Sequence, residues 1–62
     1  MREALDALSH KHREVLELHY ERDLTQTQIA ERLELPLGTV KTRTYYALRA
    51  LRSEVEEREL VG

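Results

Sequence analysis

A single proline, Pro36, interrupts a chain otherwise written in helix-forming residues. Proline lacks the N–H that a helix interior needs and its ring clashes with the preceding turn, so one helix must end before it and another can begin at it. Upstream stands TQTQIAERL, opening with Thr25 and, three residues on, Gln28. That pair predicts a capping box, the Thr25 hydroxyl accepting from the Gln28 amide and the Gln28 side chain accepting from the Thr25 amide. Ile29, Ala30 and Leu33 then form the apolar stripe of a helix, which ELPL ends. Pro36 is expected in the first turn of the next helix, which runs from about Leu37 into the acidic end of the chain.

The residues before Thr25 read as two more helices. REALDAL spaces Leu5 and Leu8 three apart, which predicts a short first helix. Ser9 stands at an N-cap position ahead of HKHREVLELHYER, whose Val15, Leu16 and Tyr20, with His12 and His19, are expected on one side. Glu17 is expected to pair with Arg13 along the same helix. Strand-forming residues are scarce, Phe and Trp are absent, and Leu, Ala, Glu and Arg abound, so the expected fold class is all-α: a small four-helix domain. With 62 residues the chain supports one domain, 1–62, with a modest core. No cysteine is present, so packing alone must hold it.

The helices flanking Pro36 have the spacing of a helix-turn-helix. Ala30 is small enough to let the second helix cross closely, Val40 plugs the junction, and Leu35 is the apolar residue of the turn. Glu34 falls where glycine is common because the backbone turns left-handed, and a non-glycine residue there costs roughly 1–2 kcal/mol.

Charge is unevenly placed. The whole chain carries a formal net charge of -2, yet residues 38–52, GTVKTRTYYALRALR, hold four basic residues and no acidic one. Projected at about 100° per residue, Val40, Thr44, Ala47, Leu48, Leu51 and Val55 fall on the side expected to pack. Lys41, Thr42, Tyr45, Tyr46, Arg49 and Arg52 fall opposite. A basic helix face is often merely solvated, paired along its own helix. Two adjacent tyrosines off the core side do not fit that reading and point to a contact surface. A major groove admits one α-helix, with its first turns at base edges and later basic residues near phosphates. Lys41, Thr42, Tyr45 and Tyr46 occupy those first turns. Arg49 and Arg52 lie further along, toward the backbone or toward water, and Arg43 lies at the edge of the packed side.

LSHKHREVLELHYERDLTQTQIAERLELPLGTVKTRTYYALRALRSEV, nearly the whole chain, resembles region four of bacterial sigma factors of the extracytoplasmic-function group. The resemblance rests on REVLEL, LTQTQIAERL, GTVKTR and ALRALR. It implies a four-helix domain, excised from the C-terminal end of a longer protein, whose last helix enters the major groove of the minus-thirty-five promoter element. By that resemblance Lys41, Thr42, Tyr45 and Tyr46 face bases, and Thr25, Gln26, Thr39, Arg43 and Arg49 approach phosphates. It further implies docking on the β-subunit flap of core RNA polymerase and regulation by an anti-sigma factor. Ser9 stands where the family often has Pro, and Gln28 where it often has Glu; both keep the capping logic.

The remaining classes fit less well. His10, His12 and His19 lack the helix-face register and the Cys or carboxylate partners of a metal site, so neither metal nor cofactor is expected. No nucleophile, base and orienting group occur together, so the chain is not expected to be an enzyme. The charged N-terminus and the short apolar runs fit neither a secretory signal nor a membrane span, and the expected location is cytoplasmic. The nearest alternative is the helix-turn-helix of the LuxR-type regulators, which shares REVL, IAxxL and TVK but usually continues with a His and ends in a Lys-Leu pair, unlike TRTYYALRALR. A helical bundle that binds only protein is a third possibility. Salt separates it from the others, because neutralising about four phosphates gives a slope of roughly -4 in log affinity against log salt.

Overall fold

The computed structural model describes residues 2–61, with the side chains of 2–59; Met1 and Gly62, the ends of the expected 1–62 domain, lie outside the described residues. Four helices follow one another: α1 (Arg2–Asp6), α2 (His10–Tyr20), α3 (Gln26–Leu33) and α4 (Leu37–Val61). α4 is 25 residues long, and at 1.5 Å per residue it spans nearly the whole 39 Å long dimension of the molecule. The three shorter helices pack along one side of it.

Local chemistry sets the ends of each helix. Ser9 caps α2, its hydroxyl accepting from the His12 amide at 3.5 Å. Both halves of the Thr25–Gln28 capping box are present, at 3.1 and 2.8 Å. α3 closes through Glu34, whose φ of 56° and ψ of 47° are left-handed as its position in the motif requires. The Glu34 amide donates to the Glu31 carbonyl at 3.3 Å and the Leu35 amide to the Ala30 carbonyl at 2.9 Å, a Schellman ending that seats Leu35 against the core. Glu34→Gly is therefore expected to raise stability by about 0.5–1 kcal/mol, because glycine relieves the left-handed strain and returns part of that gain as unfolded-chain entropy. A urea midpoint that falls below that of the parent would contradict this. α4 begins at Leu37 as expected, with Pro36 just ahead of it, its carbonyl accepting from the Thr39 and Val40 amides.

The α2–α3 turn uses a second left-handed residue, Asp23, at φ 57°. The Leu24 amide reaches back to the Leu18 carbonyl at 3.1 Å. His19 Nδ1–H donates to the Leu24 carbonyl at 2.9 Å, which holds half-buried Leu24 over the core.

The core is small. Leu8, Val15, Leu16, Ile29, Ala30, Val40 and Ala47 form one buried cluster, with Leu5, Leu18, Leu24, Leu33, Leu35, Ala50 and Leu51 packed around it. Ala4, one helical turn before Leu8, is also buried and completes the inner stripe of α1. Thr44 is buried with them, its hydroxyl donating to the Val40 carbonyl at 2.8 Å, so the polar atom is satisfied within its own helix. Ala30 of α3 and Val40 of α4 belong to the same buried cluster, consistent with the helix-turn-helix spacing.

Three expectations are corrected. Tyr20, placed on the packed side of α2, is 60% exposed: it sits in the last turn, edge-on to His19 at 4.7 Å, and lines an open depression with Leu5, Leu16 and Leu51. Leu48, placed on the packed side of α4, is 39% exposed. It lies about 80° around the helix from Val40, at the edge of the arc that neighbours cover. Glu17 pairs not with Arg13 but with Arg2 of α1, at 2.8 Å; the same guanidinium reaches Glu21 at 2.8 Å and Asp6 at 3.5 Å. The hydrogen bond that Arg2 donates to Glu17, then the charge of Glu21, raises the Arg2 pKa above its ordinary value. Arg58 links the far end of α4 to Glu54 at 2.8 Å and to the Glu3 carbonyl at 3.3 Å, so α1 is held from both sides by side-chain hydrogen bonds.

Candidate nucleic-acid interface

The exposed side of α4 begins one residue after its most buried one. Val40 is fully buried, and Lys41 and Thr42 are exposed beside it. Because side chains three and four apart share a helix face, the next turn places Tyr45 and Tyr46 outward, 56% and 53% exposed. Their rings meet edge to face at 5.2 Å. Arg49 lies over the Tyr45 ring at 5.7 Å and donates to its hydroxyl at 3.3 Å. This stack pre-orders three long side chains in one ridge and holds a cation at its crest.

The cations of this face differ in how far they are already engaged. Arg52 is tied to Glu56 at 3.0 Å, which leaves it part of the helix's own charge pairing. Among the described residues Lys41, Arg43 and Arg49 make no ion pair with a carboxylate, whereas Arg2 and Arg58 do. In a chain with 12 acidic residues, three cations grouped without a carboxylate leave a local positive field for an anion to meet.

The face has two flanks. Lys41, Tyr45 and Arg49 follow one another at four-residue spacing along one. On the other, Thr39, Thr42, Arg43 and Tyr46 form one wall of an open cleft whose opposite wall is Ser9, Lys11 and His12 at the start of α2. Pro36 and Gly38 lie at its end, and the space beside Gly38 is open, with nothing within 4 Å of where a Cβ would stand. Thr39 and Arg43 are half-buried in this cleft, and Arg43 stands at the edge of the packed side as projected. Thr25 and Gln26 sit apart from it at the N-terminus of α3, Thr25 exposed with its oxygen engaged by the Gln28 amide, and Gln26 half-buried. Thus α4 brings together seven of the nine residues expected at the site, with α3 contributing the other two separately. Ser9, Lys11 and His12 were not expected there; the basic run HKH after an N-cap serine was their only sequence signal.

Comparison with known proteins is decisive here, because the family described as sigma-70, region 4 matches residues 4–53, covering all of α2 and α3 and most of α4. The chain belongs to the sigma-70 region 4 family. It is 46% identical over 55 residues to the ECF RNA polymerase sigma factor SigL of Mycobacterium tuberculosis, covering 89% of this chain and 31% of that protein. It is 41% identical over 51 residues to the ECF RNA polymerase sigma factor SigK of Mycobacterium ulcerans, covering 82% of this chain and 27% of that one. The chain therefore spans about a third or less of the length of the curated relatives it matches. For this sigma-70 region 4 domain the match includes the capping box, the Glu34 turn and the α4 face, the same elements that position the exposed ridge. No helix among the described residues is long and apolar enough to cross a membrane.

Proposed function

We propose that this domain recognises the minus-thirty-five promoter element in bacterial transcription initiation, with α4 in the major groove. Lys41, Thr42, Tyr45 and Tyr46 face base edges, and Thr25, Gln26, Thr39, Arg43 and Arg49 meet phosphates. The observation that carries this reading is the α4 face itself: three cations without carboxylate partners among the described residues and two outward tyrosines, on a helix whose opposite side buries Val40, Thr44 and Ala47. Membership of the family, and the relatives named as sigma factors, support it. The domain acts as a stoichiometric binder rather than an enzyme, in the cytoplasm where promoter DNA lies, as the C-terminal part of a longer factor. Its second partner is core RNA polymerase, docked through the β-subunit flap. The apolar depression lined by Leu5, Leu16, Tyr20 and Leu51, on the packed side of α4, leaves a surface of the right chemistry for that contact while the ridge is on DNA. An anti-sigma factor that covers either surface would silence it.

Selection from a pool of randomised duplexes tests the reading. The expected outcome is enrichment of one short sequence, and loss of about 1–3 kcal/mol of affinity for it in Lys41→Ala and in Tyr46→Ala, with smaller loss on unrelated DNA. Tyr46 reports base contact more cleanly than Lys41, because a phenol contributes no charge to nonspecific binding. A pool that returns no preferred sequence, or equal losses on every duplex, would defeat base reading.

A further inference from the structure

The cleft between the start of α2 and the first turns of α4 is lined by two cations, one imidazole and four hydroxyls, and by no carboxylate. Lys11 and His12 come from α2 with Ser9; Arg43 comes from α4 with Thr39, Thr42 and Tyr46. The acidic residue closest to His12 in sequence, Glu14, turns to a different depression with Arg13, where it faces His10 at 3.8 Å. No α3 residue lines the cleft, and the charged or titratable groups that line it with His12 are Lys11, Arg43 and the Tyr46 phenol. Tyr46 belongs both to the ridge and to the cleft wall, and Arg43 lines the cleft beside it, so a duplex laid on that ridge would carry its backbone past the mouth of the cleft.

We propose that DNA binding by this domain is proton-coupled through His12. The inference rests on the promoter-binding reading above and adds to it a phosphate seat on α2, with the imidazolium of His12 and the ammonium of Lys11 opposite Arg43. A phosphodiester is an acceptor only; neutral imidazole offers it one N–H and no charge, whereas imidazolium offers a charge-assisted hydrogen bond. An anion in contact favours the charged form of the ring, so a proton is taken up as DNA binds. Imidazole is the side chain that ordinarily changes charge between about pH 5 and 8, so the coupling falls where it can be measured without unfolding the chain. The sign follows: affinity rises as the pH falls through the imidazole range and levels off once the ring is neutral. Lys11 and Arg43 stay charged throughout that range and contribute at every pH.

The test uses the intact chain and a mixed-sequence duplex at low salt, so that it does not depend on knowing the promoter. Binding is expected to be about three- to tenfold tighter near pH 5.5 than near pH 8, on the order of one partly exposed charge-assisted hydrogen bond. The slope of log affinity against log salt should be steeper at the lower pH by about 0.9, one additional phosphate. His12→Gln should remove most of both differences, by weakening binding near pH 5.5; His10→Gln and His19→Gln should keep them. Calorimetry in two buffers of unlike ionisation enthalpy, near neutral pH, should show net proton uptake by the parent chain that His12→Gln loses. If DNA binds with the same affinity and salt slope at both pH values, or if His12→Gln keeps the difference, the proton coupling is wrong and the DNA reading stands. If no duplex binds at either pH, the DNA reading falls and the coupling with it.

Discussion

Val40→Asp leaves this chain unfolded. Val40 is fully buried in the same core cluster as Leu16, Ile29 and Ala30, which leaves a substituted side chain at 40 no exposure to water. A domain of this size has roughly 3–9 kcal/mol of total stability at the usual 0.05–0.15 kcal/mol per residue. The substitution removes about 1.5–3 kcal/mol of side-chain burial. It also places a carboxylate where no cation is in reach, at a cost of several kcal/mol whether the group stays charged or takes up a proton. Together these match or exceed what holds the domain. The far-ultraviolet circular dichroism should lose its helical signal and the melting curve its cooperative step. Val40→Ala separates packing from charge, since it should fold and melt earlier. A cooperative, native-like melt for Val40→Asp would refute the packing assigned to α4.

Reversing charge at the other side of the same turns should leave the fold and remove the function. Lys41 is exposed and Arg43 half-buried, neither is paired with a carboxylate among the described residues, and both lie in the N-terminal half of α4, where acidic side chains are tolerated by the helix dipole. In Lys41→Glu/Arg43→Glu, two contacts to the duplex become two repulsions. Glu at 43 would in addition face Lys11 across the cleft and neutralise it. At about 1–3 kcal/mol per contact, the double variant should lose roughly 2–6 kcal/mol, or on the order of thirtyfold to ten-thousandfold in affinity. Its salt dependence should become shallower by at least about 0.9 in slope, the share of the phosphate assigned to Arg43. Native circular dichroism with wild-type DNA affinity would rule out α4 as the groove helix. Native circular dichroism with undiminished salt slope but weak binding would assign these two residues to something other than the backbone and bases.

The elements that end within a few residues of where they begin were legible in the sequence. Ser9, the Thr25–Gln28 box and the left-handed Glu34 are hydrogen-bond solutions closed over three to five residues, and a sequence contains every partner they need. The same holds for the outward face of α4, because a rigid 3.6-residue repeat carries the position of Val40 forward to Tyr45, Tyr46 and Arg49. Asp23 was less legible: its left-handed turn depends on Leu24 being drawn back to the Leu18 carbonyl and to His19, a tertiary demand rather than a local preference.

By itself, then, the chain's order of residues determined four helices, their caps, the helix-turn-helix and which side of the last helix faces outward. Only the tertiary structure decided that Arg2 rather than Arg13 answers Glu17, that Tyr20 and Leu48 lie at open edges, and that Lys11 and His12 stand across a cleft from Arg43. The physical reason is distance along the chain. Periodicity and capping act through covalently fixed neighbours, whereas crossing angle and helix length set which side chains from separate helices meet, and those follow from the packing of the whole core.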